Sequence, residues 1–329
     1  MLSWGERSLR FRSRLRGLIT TAVHEIIRNM NRVTLLVMLF ISCFSISQEG
    51  SPQDATAQSV TVRTLAFEVA GAGFPLRRTD IFVKASGTSK PKRVAEGLNP
   101  TFSPDGQKIA YCVRLGPTAF GQIELINADG SGHMQLTKLK GGACPTDWSH
   151  DGEKIAFVGY GSKKPSIFVM GKNGDNVTQI STGYGARWSP DGKQLVFCRP
   201  AERRGASDSI WIANADGTAV TKVIEDNSEV LEAAWFSDGK SIVFSSEREH
   251  KHRSGVFRVN VDGTGLAAVA VDSRFSLFFP VPSPDGTRIV ADAYASGSSE
   301  GSVVLIDLAS HQASVLAHGM HPSVLWEKP

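Results

Sequence analysis

The apolar positions of this chain recur in short β-type runs, and each run follows the same kind of turn. Ser103-Pro104-Asp105-Gly106 precedes Ile109 to Tyr111, and Ser149-His150-Asp151-Gly152 precedes Ile155 to Phe157. Ser189-Pro190-Asp191-Gly192, Phe236-Ser237-Asp238-Gly239 and Ser283-Pro284-Asp285-Gly286 precede similar runs. The turn glycines lie 46, 40, 47 and 47 residues apart. A period in this range marks an array of units, each burying its apolar face against its neighbours. Asp-Gly suits a tight hairpin because both residues tolerate positive φ, and a preceding proline presets one turn dihedral. A second turn recurs in the outer half of the units, as in Asn127-Ala128-Asp129-Gly130, Asn214-Ala215-Asp216-Gly217 and Asn260-Val261-Asp262-Gly263. Each unit is therefore expected to hold four antiparallel strands, the arrangement of a propeller blade.

Inner strands are expected to begin near Pro100, Pro145, Ala186, Ala233 and Pro280. A sixth begins at Pro322, shortly before the last residue given, and lacks three partners. Thr64 to Val69, Asp80 to Lys84 and Lys92 to Val94 supply them. The expected fold is all-β: a six-bladed β-propeller of four-stranded antiparallel blades, closed by pairing of the N- and C-terminal strands. Closure removes the sheet edges that invite aggregation. The repeat-equivalent Trp148, Trp188, Trp235 and Trp326 are expected between blades. Phe278 and Phe279 are expected to face opposite ways, as strand neighbours do.

Residues 1–47 read as a basic leader and signal peptide. Arg7, Arg10, Arg12, Arg14, Arg16 and Arg28 precede an apolar stretch at 33–46, too short to cross a bilayer comfortably. Met30 is a candidate start. Cys43 lies in a lipobox-like Phe40-Ile41-Ser42-Cys43 and is the candidate lipidation site, with cleavage near Ser47 or after Ala57 as alternatives. Residues 48–61 read as a flexible spacer, and 62–329 as the propeller.

The formal charge of +4 changes meaning once the leader is set aside. Residues 1–47 hold seven Lys or Arg and two acids, so the remainder is close to neutral at −1. Such a body offers a nucleic-acid backbone no clustered positive charge. Of the cysteines after the leader, Cys112 and Cys198 belong to blades that are not neighbours, whereas Cys144 is placed to approach Cys112. Buried free thiols are the expectation.

Chemical motifs are sparse. Gly297-Ser298-Ser299-Glu300-Gly301 matches GxSxG but lies between strands, without the strand-to-helix turn that a nucleophile needs. His250 and His252 lack a third zinc ligand in sequence. The Asp-Gly turns lack the distal glutamate of a calcium loop. No catalytic residue, metal or cofactor is assigned. Asp105, Gly106, Asp151, Gly152, Asp191, Gly192, Asp238, Gly239, Asp285 and Gly286 are read as structural turn residues. The candidate binding loops lie on the face opposite those turns. One carries Arg199, Glu202, Arg203 and Arg204, and another carries Glu247, Arg248, His250, Lys251, His252 and Arg253. Tyr160, Tyr184 and Phe275 lie beside them. Aromatic residues flanked by arginines are typical of protein-binding surfaces.

The run Pro145-Thr146-Asp147-Trp148-Ser149, then Ile155-Ala156-Phe157, Ile167-Phe168-Val169 and Thr178-Gln179-Ile180, resembles the TolB-like propeller family, described as WD40-like or PD40 repeats. The resemblance spans about residues 64 to 327 and implies a six-bladed propeller outside the cytoplasm. The α/β domain that precedes the propeller in TolB has no counterpart between Ser47 and the first strand, so the resemblance is expected to cover the propeller alone. The expected function is a periplasmic or secreted, monomeric scaffold that binds a protein or cell-envelope component, with Cys43 as a candidate lipid anchor. The alternative is a propeller hydrolase or lyase with its site at the channel mouth.

Overall fold

The computed structural model describes residues 62–327, apart from 71–78, 115–119, 202–206, 227–229, 251–252, 273, 296–297 and 299. The leader, the spacer and Cys43 lie outside the described residues.

The described chain begins with β1 (Val62–Ala70), β2 (Thr79–Ala85) and β3 (Lys92–Glu96). Five complete blades follow. The first holds β4 (Leu98–Phe102), β5 (Lys108–Arg114), β6 (Phe120–Asn127) and β7 (Met134–Gln135), and the second β8 (Ala143–Trp148), β9 (Lys154–Gly159), β10 (Ser166–Gly171) and β11 (Thr178–Thr182). The third holds β12 (Tyr184–Trp188), β13 (Gln194–Arg199), β14 (Asp208–Asn214) and β15 (Thr221–Asp226). The fourth holds β16 (Val230–Trp235), β17 (Ser241–His250), β18 (Arg253–Asn260) and β19 (Ala267–Ala270). The fifth holds β20 (Phe275–Pro282), β21 (Arg288–Ala295), β22 (Gly301–Asp307) and β23 (Ala313–His318). The last strand, β24 (Met320–Trp326), pairs antiparallel with β1, so that the sixth sheet runs β24-β1-β2-β3. Val62 lies opposite Trp326 and Leu65 opposite Val324. The six-bladed ring closed by its two ends is therefore as the repeat pattern predicts.

The Ser-Pro-Asp-Gly segments fold as hairpins because serine and aspartate hold the turn between them. In the second blade Ser149 Oγ donates to Asp151 Oδ1 (2.6 Å) and accepts from the Lys154 N–H, while Asp151 accepts from the Glu153 N–H. The Gly152 N–H closes the turn onto the Ser149 carbonyl at 2.9 Å, with φ of 73°. A side chain rarely adopts that dihedral, which explains the glycine. These hydrogen bonds, with the serine hydroxyl foremost, hold the carboxyls of Asp105, Asp151, Asp191 and Asp285 below the usual carboxylate range.

Apolar burial is divided among wedges between consecutive blades. One wedge packs Val196, Cys198 and Ile210 of the third blade against Trp235, Ile242 and Phe244 of the fourth. At the ring closure Leu65 and Phe67 meet Val290 and Val303 of the fifth blade, while Ala66 and Ile81 meet Phe102 and Ile109 of the first. Each large buried side chain contributes about 1.5–3 kcal/mol. Trp148, Trp188 and Trp235 are buried in these wedges, and Trp326 is half-buried. The indole N–H of Trp148 donates to the Thr101 carbonyl of the preceding blade.

The cysteines correct one expectation. Cys112 and Cys144, expected as free thiols, form a disulfide with Cα atoms 4.9 Å apart, which links the first blade to the second. Cys112 faces the neighbouring inner strand at the place where Cys144 sits, so the alternative pairing is the one realised. Cys198 is free and buried, and burial, with Glu232 and Asp208, raises its pKa well above the ordinary thiol value. It is accordingly a packing residue. The disulfide closes a sequence separation of 32. Replacing both partners by serine should destabilise the propeller by about 3–4 kcal/mol, read by denaturant unfolding. Equal stability of the variant would show that the link is not formed.

Candidate functional site

Every blade starts with an inner strand that carries one extra residue against its partner. In five blades that bulge places a residue in the left-handed region: Asn99 (φ 52°), Gly185 (65°), Glu232 (44°), Phe279 (52°) and His321 (51°). Cys144 occupies the corresponding place in the second blade, where the ladder shifts later, between Pro145 and Asp147. Asparagine and glycine take this conformation readily and histidine more readily than most, whereas glutamate and phenylalanine are uncommon there and point to a functional or strained position. A bulge also re-aims its side chain. All these residues stand at the start of an inner strand, the end opposite the Ser-Pro-Asp-Gly turns, and they ring one mouth of the central axis.

The backbone N–H of such a residue needs a partner when it is buried. Side chains of the preceding blade supply it at the ring closure. Asp292 of β21 is fully buried, and its Oδ2 accepts the His321 N–H at 2.9 Å. Glu68 of β1 is 1% exposed, and its Oε1 accepts the Asn99 N–H. The same Oε1 lies 3.3 Å from His321 Nδ1, close enough for ionic attraction but poorly aligned for a hydrogen bond. The Phe279 ring meets the imidazole edge-on, centroids 4.6 Å apart.

A second charged arc links the second, third and fourth blades. Asp147 accepts the N–H groups of Trp148 and, across the blade boundary, Trp188 (2.8 Å). Arg187 donates to the Thr146 carbonyl at 2.8 Å and pairs with Glu232 at 3.1 Å. The Arg187 and Glu232 side chains are 23% and 22% exposed.

Burial and charge oppose each other here. Burial drives the Asp292 carboxyl up to about 7, against the pull of His321 and its N–H. Burial would lower the His321 pKa, but Glu68, then Asp292 and Glu232, outweigh it and push it to about 9. Burial raises Asp147 despite Arg187. Arg187 is raised because Glu232 and Asp147 overcome its own burial. Perturbed groups of this kind concentrate at functional sites and in structural ion-pair networks alike. Among the described residues, no three His, Cys, Asp or Glu side chains stand in metal-binding geometry.

The described residues among those singled out from sequence make separate contacts. The Arg199 guanidinium lies over the Trp211 ring, 4.0 Å from its centroid, and donates to Ser181 Oγ and the Thr182 carbonyl of the second blade. It is thus committed to packing. The Tyr184 hydroxyl donates to the Val230 carbonyl of the fourth blade. Tyr160 is half-buried, and burial followed by Glu232 raises its pKa. Phe275 packs on the wedge between the fourth and fifth blades, with Arg274 against its ring. The segment read as a charged loop is largely a hairpin: Glu247 to His250 belong to β17, and Arg253, which opens β18, lies opposite His250. The exposed Arg248 lies 5.6 Å from the Phe257 ring centroid. Glu202, Arg203, Arg204, Lys251 and His252 lie outside the described residues. Phe278 and Phe279, which flank the register shift of β20, meet different rings: Phe278 meets Tyr294 of its own blade and Phe279 meets His321 of the next.

Sequence reasoning missed Glu68, Asp147, Arg187, Glu232, Asp292 and His321. A signal was present. His321 precedes a strand-opening proline as Asn99 and Phe279 do, and Glu68 and Asp292 are acids at a strand position filled elsewhere by Cys112, Val158, Cys198 and Ser245.

The family described as the TolB beta propeller domain matches residues 122–324, more than half of the chain. The chain belongs to that family. It is 27% identical over 223 residues to the Tol-Pal system protein TolB of Francisella tularensis subsp. tularensis, covering 64% of this chain and 50% of the relative. It thus spans about half the length of that curated relative. Two solved structures share the fold. TolB from Acinetobacter baumannii superposes with a TM-score of 0.66 at 20% identity, over 81% of this chain and 67% of the other. A putative TolB from Agrobacterium tumefaciens gives 0.59 at 19% identity, over 81% and 98%.

Arg187 is the cation that holds the second charged arc together. Arg187→Met should leave Asp147 and Glu232 without their counter-ion and cost about 2–3 kcal/mol by chemical denaturation, less than a fully buried pair because both ends are part-exposed. An unchanged midpoint would show that the arc contributes nothing to stability.

Proposed function

We propose that this chain is an extracytoplasmic propeller that binds a protein partner of the cell envelope, with the bulged mouth and the surrounding loop face as its contact surface. The observation that carries the reading is the ring of left-handed inner-strand residues. Glu232, Phe279 and His321 hold left-handed backbone conformations at one end of the inner strands, and the central mouth of a toroid is where concave binding sites form. Aromatic and ionisable groups there sit on the same face as Glu247, Arg248 and Arg253. Glu202, Arg203, Arg204, Lys251 and His252 belong to the same two sequence segments and are included in the proposal. The relatives named as Tol-Pal system proteins support a protein partner, and the buried disulfide supports an oxidising compartment such as the periplasm or the cell exterior. A monomer tethered through acylated Cys43 remains part of the proposal.

The convergence of Asp292, His321 and Glu68 is the feature that favours the hydrolase or lyase alternative. Each of these carboxylates, however, already holds a backbone N–H of the next blade, and among the described residues no metal-binding set accompanies them. Their arrangement is accounted for by the bulges they satisfy.

The test is capture of partners from envelope extract by the full chain, identified by mass spectrometry. Phe279→Asn keeps a residue tolerant of left-handed φ and removes the ring. A second variant neutralises Glu247, Arg248 and Arg253 together. A partner captured through this face should be retained about tenfold less by either variant, the loss expected for one hot-spot side chain. Equal capture by both variants would overturn the assignment of the face.

A further inference from the structure

The six blades are alike in backbone, and their ionisable chemistry is not evenly shared. At the inner-strand bulge the closing strand β24 carries the only imidazole, His321, against Asn99, Cys144, Gly185, Glu232 and Phe279 elsewhere. At the facing position of the second strands, Cys112, Val158, Cys198 and Ser245 are uncharged, and the two acids, Asp292 and Glu68, fall on the two strands that flank β24. The charged set therefore coincides with the one place where the ring is closed by pairing between the chain's two ends.

We propose that Asp292, His321 and Glu68 form a proton-operated latch on the ring closure, which holds β24 most firmly in mildly acidic conditions and loosens it progressively as the pH rises.

The geometry supplies the parts. β24 is pinned from the fifth blade through the Asp292 bond to the His321 N–H, and from β1 through Glu68 beside the imidazole. Glu68 extends the link to the first blade through the Asn99 N–H. Asp292 Oδ1 is buried and has no hydrogen-bond partner among the described residues, so an ionised carboxylate there is poorly compensated. The charged groups that bear on His321 are Glu68 of β1, Asp292 of β21 and Glu232 of β16. Those that bear on Asp292 are the same two glutamates and His321, and the Tyr294 hydroxyl in turn feels Asp292 and Glu68. Apart from His321, every one of these is an acid, so each proton lost adds net negative charge around the buried carboxyls of Glu68 and Asp292.

Both titrations act in the same direction. The folded Asp292 pKa, about 7, lies above the ordinary carboxyl value of 3.8, so its protonated form favours the folded ring and that contribution fades between about pH 4 and 7. The folded His321 pKa, about 9, lies above 6.5, so its contribution is complete below 6.5 and is lost as the pH rises through about 9. The turn aspartates act oppositely and at lower pH. Their depressed pKa values contribute stability above about 4 that is lost on further acidification. From about pH 5 upward the latch is left as the dominant influence on the closure.

Hydrogen exchange of the full chain at pH 6, 8 and 9.5, corrected for the intrinsic pH dependence of exchange, tests the proposal without a mutation. Protection of β24 and β1 should fall by at least about tenfold across this range, while β12 to β15 keep theirs. Asp292→Asn preserves the acceptor for the His321 N–H and should abolish the step that is complete near pH 7 while leaving the one that is complete near 9. His321→Asn suits the left-handed backbone and should abolish the upper step. Constant protection of β24, an equal loss in every blade, or persistence of both steps in the two variants would each overturn the latch. The proposal is independent of whether the mouth binds a partner, because exchange is read on the free protein.

Discussion

The antiparallel pairing of β24 with β1 is the constraint on which the rest of the molecule depends. Each blade is a small sheet whose faces are apolar, and no blade buries them alone. The wedges between blades form only if every blade has two neighbours, and the ring achieves this by drawing its first and last described strands into one sheet. The pairing removes two free edges and completes the wedges that hold Leu65, Phe67 and Ala66.

A propeller also has to turn its inner strands tightly around an axis, and one extra residue per inner strand accomplishes it. The extra residue leaves a backbone N–H off the ladder and out of water. Near the closure, carboxylates satisfy these groups at Asn99 and His321. Further around the ring Asp147, beside the bulge of the second blade, accepts the Trp188 N–H of the third. Charge is buried at the mouth as a consequence, and the charges then need one another: Arg187 for Asp147 and Glu232, His321 for Glu68. The perturbed carboxyl and imidazole are the electrostatic residue of a backbone problem, set in a place that also suits recognition.

The period of the turn glycines made the blade count legible, and Pro322 to Trp326, echoing Pro145 to Trp148, made the closure legible. Those features are local and repeat-wide, so sequence carries them. The candidate site was much less legible. Arg199 looked like a recognition residue because it is charged and near a loop, yet it stacks on Trp211. Glu68 and His321 lie at opposite ends of the described chain, and nothing short of the closed ring sets them 3.3 Å apart. The Cys112–Cys144 link is illegible in sequence for the same reason, since its feasibility turns on the distance between two blades. Substitutions that break a repeat, such as Glu68 and Asp292 where other blades carry Ser245 or Val158, are the signal of the site that the sequence does hold.

The central claim is that the two ends of the propeller close one sheet. Nitroxide labels at the exposed positions Arg63 and Glu327, next to the facing pair Val62 and Trp326, report on it directly. Neighbouring strands lie about 4.8 Å apart, so the labels should show strong dipolar broadening in the folded protein that disappears on unfolding. An unbroadened spectrum from folded protein would contradict the closure, and with it the mouth and the latch.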